Sequence, residues 1–272
     1  MAGTAITIQK KTSVSNPRNL SWPEIESEII NVFDRQDPVI DYWGVPVTKE
    51  HVAKYCATHR PRFQYLTGEV RRLSPDGGRV LEVGTAYGVV LFALRRMGYD
   101  VAGTDMAEGI DSYGIPLVRA GIPVKAWDLH KEAYPNGGAS YDLVIASEVL
   151  EHLQVSLKTA VARLVTALRP GGWLVVTTPN VYKLGHLMMM MRGRNLAEAF
   201  PDEAAMKGDV VVDGRCHPRE PTMMELREAL EQNGLRGVSS RYFDYSSSNK
   251  RRLVGAVFPR LREACFVVGR KA

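Results

Sequence analysis

The spacing of hydrophobic residues divides the chain near residue 74. Before that point, from Trp22 to Leu73, apolar residues recur every three or four positions, which predicts amphipathic helices. Ser21 and Glu24 have the spacing of a capping box for the first helix. Thr48 is placed to cap a second helix, which we expect Pro61 to interrupt.

The polar segment 1–20 lacks the apolar core of a signal peptide, so we expect a loose leader there. Residues 1–73 as a whole are then a leader followed by a helical cap. Four aromatic residues of this segment either touch a substrate or pack the cap against the rest of the protein. They are Trp22, Tyr42, Trp43 and Tyr65.

After the turn residues at 74–78, short apolar runs alternate with helical stretches. The runs predict strands at Arg79–Val83, Val101–Thr104, Val124–Trp127, Tyr141–Ala146 and Trp173–Thr178. The stretches predict helices at Gly88–Met97 and Leu153–Leu168. Such alternation is typical of a doubly wound α/β fold, with a mostly parallel sheet between two layers of helices.

The last third of the chain is predicted to complete this domain, which spans residues 74–272. Thr222 caps a helix that Gly234 ends. Closing strands are predicted at Leu235–Tyr245 and Cys265–Gly269, and a helix within Lys250–Glu263 that Pro259 breaks. Residues 181–216 form an insertion over the functional site. Its apolar residues either line an acceptor pocket or pack on the domain, and they are Leu184, Leu187 and Met188–Met191.

Composition narrows the classes of protein that remain. The 272 residues include 35 Lys and Arg against 30 Asp and Glu, a net charge of +5 that permits a nucleic-acid partner without requiring one. Cys56, Cys216 and Cys265 are widely spaced and form no CxxC pair, which favours a reducing, cytoplasmic location. No run reaches the roughly 18 apolar residues of a membrane span.

The segment VLEVGTAYGVV, residues 80–90, carries the clearest chemistry. A strand runs into a turn with Gly84 and Gly88, where glycine lets a ligand approach the backbone. Glu82 lies two residues before the first glycine. Its carboxylate would repel the phosphates of a dinucleotide but would suit a cationic, amino-bearing ligand. S-adenosylmethionine carries both a sulfonium and an α-amino group.

The next strand ends contribute further polar residues. Asp105 follows Glu82 by 23 positions, about where an acid should receive two ribose hydroxyls. Met106 could then lie on the adenine face, and Asp128 could accept from the adenine amino group. Each residue could also serve only a turn or a helix cap, but their order along successive strand ends favours a cofactor site.

With YDLVIASEVLEHL and LRPGGWLVVTTPN, residues 77–272 resemble class I S-adenosylmethionine-dependent methyltransferases, most closely the ubiquinone-biosynthesis O-methyltransferase branch. The resemblance implies a seven-stranded Rossmann-like sheet and S-adenosylmethionine as the cofactor. The implied cofactor site comprises Glu82, Gly84, Ala86, Gly88, Asp105, Met106, Asp128, Leu129 and Ser147. Ala86 departs from the family, which usually has a glycine there.

An E-x-x-E-H cluster follows the fourth predicted strand. On a helical turn Glu148, Glu151 and His152 would share one face. With His217 they suit a divalent cation such as Mg, Mn or Fe, and the set resembles the two Glu and two His of small-RNA 3′-terminal 2′-O-methyltransferases. Alternatively, Glu148 lines the cofactor pocket and no metal binds. The catalytic candidates are therefore Glu148, His152 and His217, with either histidine as the general base if no metal binds.

We accordingly expect an enzyme that methylates a hydroxyl of a small-molecule acceptor, such as a sugar or a natural-product intermediate. The alternatives are an RNA ribose 2′-O-methyltransferase, an N-methyltransferase and a non-catalytic cofactor-binding protein. We expect neither a nucleic-acid partner nor a membrane span, and a homodimer stays open.

Overall fold

The computed structural model describes most of the chain, in nine ranges. They are residues 20–34, 39–40, 46–135, 140–194, 196, 206–207, 210–211, 217–245 and 249–272. Tyr42, Trp43, Cys216 and nearly all of the predicted leader lie outside these ranges, as does much of the insertion.

Seven strands form the central sheet. They are β1 (Arg79–Val83), β2 (Asp100–Asp105), β3 (Val124–Ala126), β4 (Tyr141–Ser147), β5 (Leu168–Pro179), β6 (Leu235–Phe243) and β7 (Ala264–Lys271). Their order across the sheet is β6-β7-β5-β4-β1-β2-β3. Strand β7 is antiparallel to both of its neighbours, whereas the other strands share one direction. The predicted fold class, an α/β domain with a mostly parallel seven-stranded sheet, is confirmed.

The helices precede the sheet or connect its strands. They are α1 (Trp22–Phe33), α2 (Lys49–Leu73), α3 (Val89–Met97), α4 (Ala107–Gly109), α5 (Ile115–Arg119), α6 (Leu157–Ala167), α7 (Leu184–Met191), α8 (Met223–Gln232) and α9 (Asn249–Val257). A π-helical turn joins α4 to α5, and short 3-10 turns span Leu150–His152 and Pro259–Leu261. Two further pairs of two-residue strands are Val39–Ile40 with Pro46–Val47, and Met206–Lys207 with Val210–Val211.

The sheet has a hydrophobic core on each face. Successive residues of β1 point to opposite faces, so Val80 belongs to one core and Leu81 to the other. The first core contains the apolar faces of α1, α2, α3 and α5, and the second contains those of α6 and α8. Helices α1 and α2, the predicted cap, therefore pack in the same core as the sheet.

The expectation that Pro61 interrupts the second helix is wrong, because α2 continues through it from Lys49 to Leu73. Proline removes one backbone hydrogen bond and costs a helix interior about 3 kcal/mol. Fully buried Cys56 lies before Pro61 and Leu66 after it, both in the first core. Burial of the two halves on one surface offsets the local cost and keeps the helix in one piece.

One expected cap and one expected helix boundary also differ from the structure. Ser21 is the N-cap of α1, but its side chain makes no capping hydrogen bond, so the predicted capping box does not form. Helix α6 begins at Leu157 rather than Leu153, because the Ser156 hydroxyl caps it by accepting from the Thr159 N–H.

We expect Pro61→Ala to raise the free energy of unfolding by about 1–2 kcal/mol, because alanine restores the N–H that α2 lacks. Urea denaturation of the purified protein measures this change. A loss of stability in the variant would show that proline at position 61 stabilises the protein.

Candidate active site

A cavity of about 400 Å³ lies at the carboxyl ends of β1, β2 and β4. This is the edge at which open α/β sheets bind ligands. Eight of the residues predicted for the site line it. They are Gly84, Ala86, Asp105, Met106, Leu129, Ser147, Glu148 and His152.

The turn after β1 has an unusual backbone. Gly84, Ala86 and Gly88 all have positive φ, at +72°, +42° and +66°. A Cβ at position 84 would lie 2.6 Å from a methyl carbon of Val149, so a side chain there would clash as well as strain the turn. Ala86 adopts this left-handed conformation despite its side chain, which costs about 1–2 kcal/mol.

Asp105, at the end of β2, is held by this turn. One carboxylate oxygen accepts from the Met106 N–H at 2.9 Å and the other from the Ala86 N–H at 3.3 Å. Burial raises the pKa of Asp105 to about 6, although these backbone donors lower it. A Cβ at position 109 would lie 2.5 Å from the Asp105 carboxylate, so glycine is needed there for Asp105 to keep its position.

Glu82 is a buried carboxyl group behind the same turn. Its side chain is almost fully enclosed, and its Oε2 atom has no hydrogen-bond partner among the described residues. Burial raises the pKa of Glu82 to about 8, the Arg62 guanidinium opposes this, and the Asp105 charge adds to it. Glu82 is therefore an acid for which the protein itself supplies too few partners.

A stripe of residues along α2, not predicted from the sequence, forms one wall of the cavity. It consists of His51, Tyr55, His59 and Arg62. The signal was available, because these residues follow one another at helical spacing on a face that also carries buried apolar residues. Burial and the neighbouring Arg62 lower the pKa of His59 to about 4, so His59 is neutral at physiological pH.

Arg62 is the buried cation of this wall. Its side chain is 9% exposed, Nη1 lies 3.7 Å from Glu148 Oε2, and Nε has no hydrogen-bond partner among the described residues. Arg62 therefore brings a partly unsatisfied positive group into the cavity, close to the predicted cofactor turn.

The E-x-x-E-H segment does not form the expected helical face. Glu148 has a positive φ of 56°, and the residues after Val149 form a single 3-10 turn. Glu148 therefore turns toward Arg62 and accepts a hydrogen bond from the Thr177 hydroxyl at 3.1 Å. Ser147 shares a 2.8 Å hydrogen bond with the same hydroxyl.

Three of the four predicted metal ligands do come together. Glu151, His152 and His217 each place a ligand atom within 4.8 Å of the others. The two imidazole rings have centroids 4.7 Å apart. Glu151 is 1% exposed, and neither of its carboxylate oxygens has a hydrogen-bond partner among the described residues. Burial and the Glu148 charge raise the pKa of Glu151 well above its usual range.

Asp128 lies beside the cavity rather than in its lining. It accepts from the His130 N–H at 2.8 Å and pairs with Lys131 at 2.9 Å. Burial acts to raise the pKa of Asp128, but these partners lower it overall. Its neighbours Trp127 and Leu129 line the cavity directly.

Of the four aromatic residues singled out in the predicted cap, Trp22 and Tyr65 lie in the described ranges, and both pack the cap against the domain. Trp22 is buried in the first core. Tyr65 stacks on Phe243 of β6, with 4.5 Å between ring centroids and 8° between their planes.

Helix α7 of the insertion has no buried residues. Leu187, Met188, Met190 and Met191 are all exposed, and none of them lines the cavity. Leu184 instead borders a smaller pocket of about 210 Å³ next to Lys183 and Tyr245.

The sheet order, the reversed last strand and the cavity at the strand ends define the class of S-adenosylmethionine-dependent methyltransferases. The model of a family described as "Methyltransferase domain" matches residues 58–240, and the chain belongs to this family. The predicted enzyme class and its cofactor, S-adenosylmethionine, are confirmed.

Two curated O-methyltransferases are similar to this chain in sequence, and a solved methyltransferase structure is similar to it in fold. The ubiquinone biosynthesis O-methyltransferase of Bordetella avium is 29% identical over 61% of this chain and 67% of its own length. The mitochondrial enzyme of that name from Mus musculus is 29% identical over 70% of this chain, and the match spans about half, 47%, of its length. A SAM-dependent methyltransferase from Archaeoglobus fulgidus shares the fold, with a TM-score of 0.53, 18% identity, and coverage of 80% of this chain and 99% of that chain.

In the part of the chain that the structure describes, no helix combines the length and hydrophobicity that crossing a membrane requires.

We expect Glu82→Gln to stabilise the cofactor-free protein at alkaline pH. The pKa of Glu82 is higher folded, about 8, than unfolded, about 4.3, so its contribution to stability is present at low pH and lost as pH rises to 8. Glutamine removes this loss. The gain in free energy of unfolding should therefore be larger at pH 8 than at pH 5, by about 3–4 kcal/mol.

Urea denaturation at the two pH values measures the effect of Glu82→Gln. Glu69→Gln is the matched control, because Glu69 is also buried but pairs with Arg72 at 2.8 Å and Arg241 at 3.1 Å. The control should lose stability at both pH values. An equal effect of Glu82→Gln at pH 5 and pH 8 would contradict the assigned pKa.

Proposed function

We propose that the protein transfers the methyl group of S-adenosylmethionine to a hydroxyl of a small-molecule acceptor. The proposal rests mainly on one cavity, which is lined by the turn after β1, by Asp105 and by His152. His152 in turn belongs to the cluster that it forms with Glu151 and His217. The O-methyltransferase names of the curated relatives support a hydroxyl acceptor.

The cavity offers a partner for each polar part of the cofactor. Asp105 accepts from the ribose hydroxyls, and Met106 and Leu129 contact the adenine. Glu82 balances the α-ammonium group through the backbone turn that separates them, and Arg62 pairs with the α-carboxylate. Arg62 lines the cavity and its Nε has no hydrogen-bond partner among the described residues, and Glu82, buried behind the turn, has an Oε2 atom without one.

The reaction needs a hydroxyl oxygen in line with the methyl carbon and the sulfur. The oxygen forms a bond to the methyl carbon, the carbon–sulfur bond breaks, and its electron pair stays on sulfur to give S-adenosylhomocysteine. The hydroxyl proton must leave to a base. His152 lines the cavity, and the ring of His217 packs against the ring of His152. Either imidazole can therefore accept that proton.

The residues near His152 also fit a divalent cation. Glu151 has two buried oxygens without hydrogen-bond partners next to two imidazoles, and this mixed oxygen and nitrogen set suits Mg, Mn or Fe. Glu151, His152 and His217 would hold the ion, while Glu148 stays paired with Arg62. A bound cation would lower the pKa of the acceptor hydroxyl.

The buried and unpaired thiols of Cys56 and Cys265 support a reducing, cytoplasmic location.

A small-molecule acceptor, rather than RNA, predicts that activity depends weakly on salt. A steep loss of activity with increasing salt would instead favour a polyanionic acceptor.

We expect Asp105→Asn to weaken binding of S-adenosylhomocysteine by on the order of 2–4 kcal/mol, because it removes charge-assisted hydrogen bonds to the ribose. In the unmodified protein the affinity should also fall as pH drops through about 6, because protonation of Asp105 removes an acceptor. Calorimetry across pH 5–8 tests both statements. The same pH profile in the variant would remove Asp105 from the ribose site.

We expect activity with a labelled methyl donor to disappear in excess EDTA and to return with added Mg, Mn or Fe. His217→Ala should lower turnover roughly 100-fold and leave the affinity for S-adenosylhomocysteine unchanged, since His217 does not line the cofactor wall. Full activity in EDTA would exclude the metal and leave the histidine base. The pH profiles of His152→Ala and His217→Ala would then identify which imidazole accepts the proton.

A further inference from the structure

We propose that Glu220 is a positioning residue that fixes the ring of His217 with its proton on Nδ1 and its lone pair on Nε2. The inference rests on the proposed function, in which His217 either holds a cation or accepts the hydroxyl proton. Both roles need an imidazole nitrogen with a free lone pair at a fixed place.

The geometry around Glu220 is that of a hub. One carboxylate oxygen lies 3.1 Å from His217 Nδ1 and 3.2 Å from Lys183 Nζ. The other oxygen lies 3.4 Å from Nδ1 of His186. The Glu220 side chain is 10% exposed, so solvent competes little for these contacts.

The contacts decide the direction of the hydrogen bond. The Glu220 oxygen that meets His217 Nδ1 also contacts the Lys183 ammonium, and a carboxylate beside an ammonium can only accept. His217 Nδ1 must therefore be the donor, and in a ring that carries a single proton this leaves the lone pair of Nε2 free.

This arrangement serves the reaction centre in two ways. It selects the tautomer whose Nε2 is ready for a cation or a proton, beside His152, whose ring centroid is 4.7 Å away. A carboxylate on the far nitrogen also makes an imidazole more basic and a better ligand. Lys183, next to the start of α7, and His186 of α7 both lie at ion-pair distance from Glu220. Glu220 therefore connects the insertion to His217.

A purely structural role for Glu220 predicts something different. Glu220 could merely tie the start of α7 to the loop before α8. Its removal would then change stability but leave the protonated nitrogen of His217 where it was. The tautomer of His217 therefore separates the two roles.

Nitrogen NMR of histidine-labelled, metal-free protein measures that tautomer directly. We expect the Nδ1–H form of His217 in the unmodified protein and a shift toward the Nε2–H form in Glu220→Ala. Glu220→Gln should keep the Nδ1–H form, because its amide oxygen can still accept. Arg219→Gln is the matched control, since neighbouring Arg219 is exposed and pairs with Glu225 instead. An Nε2–H ring in the unmodified protein, or an unchanged ring in Glu220→Ala, would overturn the proposal.

A second measurement follows the consequence for binding, with Mn²⁺ as the probe and paramagnetic resonance of free Mn²⁺ as the readout. We expect Glu220→Ala to weaken Mn²⁺ affinity about 10- to 100-fold, Glu220→Gln to weaken it less, and Arg219→Gln to leave it unchanged. Affinity for S-adenosylhomocysteine should stay the same in all three variants, which shows that the fold is intact. Unchanged Mn²⁺ affinity in Glu220→Ala would count against the proposal.

The two measurements also separate this proposal from the metal itself. If the unmodified protein binds no Mn²⁺, the metal part of the proposed function fails. The NMR result then still decides whether Glu220 positions His217 as a base, and a lower turnover in Glu220→Ala that Glu220→Gln restores in part would support that role.

Discussion

The main constraint on this structure is the burial of four carboxyl groups close together at one end of the sheet. Glu82, Asp105, Glu148 and Glu151 converge on one end of the sheet, and Arg62 faces them from α2. Removing carboxylates from water is costly unless each finds a partner. Burial accordingly raises the pKa of all four groups. The protein tolerates this because the two cores on either side of the sheet are extensive and closely packed.

The same cost explains how a cavity can favour a cationic ligand. Glu82 has an unsatisfied oxygen, and Arg62 has an unsatisfied nitrogen. Arg62 lines the cavity, so a ligand carboxylate there would pair with it directly. Glu82 lies behind the turn after β1, so a ligand ammonium would favour its ionised form across the backbone rather than by direct contact. Backbone strain at the site has a similar logic, because Ala86 and Glu148 both adopt positive φ. That strain persists only where the surrounding packing holds it, and here it aims the turn after β1 and the Glu148 carboxylate at the cavity.

Features of the fold and the site could be predicted from the sequence where neighbouring residues alone determine them. The strands β1, β2 and β4 and the turn at Gly84 are encoded by adjacent residues, so hydrophobic runs and glycine spacing were sufficient. The Pro61 expectation failed because a local rule was outweighed by burial of residues on both sides of the proline. The helical face at Glu148, Glu151 and His152 failed for a similar reason, since a single positive φ at Glu148 redirects the segment. Arg62 and Glu220 were missed because their importance arises from contacts with residues distant in sequence.

The two halves of the site are built from different parts of the fold. The predicted cofactor wall comes from the ends of β1 and β2, where each residue is fixed by strand register and by backbone hydrogen bonds such as those to Asp105. The other half combines α2 and the 3-10 turn after β4, which line the cavity, with the loop before α8, whose His217 packs on His152. Substitutions near His152 or His217 can therefore alter the acceptor side of the proposed site without moving the turn after β1. Because Arg62 of α2 serves the cofactor in this proposal, the residues around His152 and Glu220 carry more information about the acceptor than the strands do.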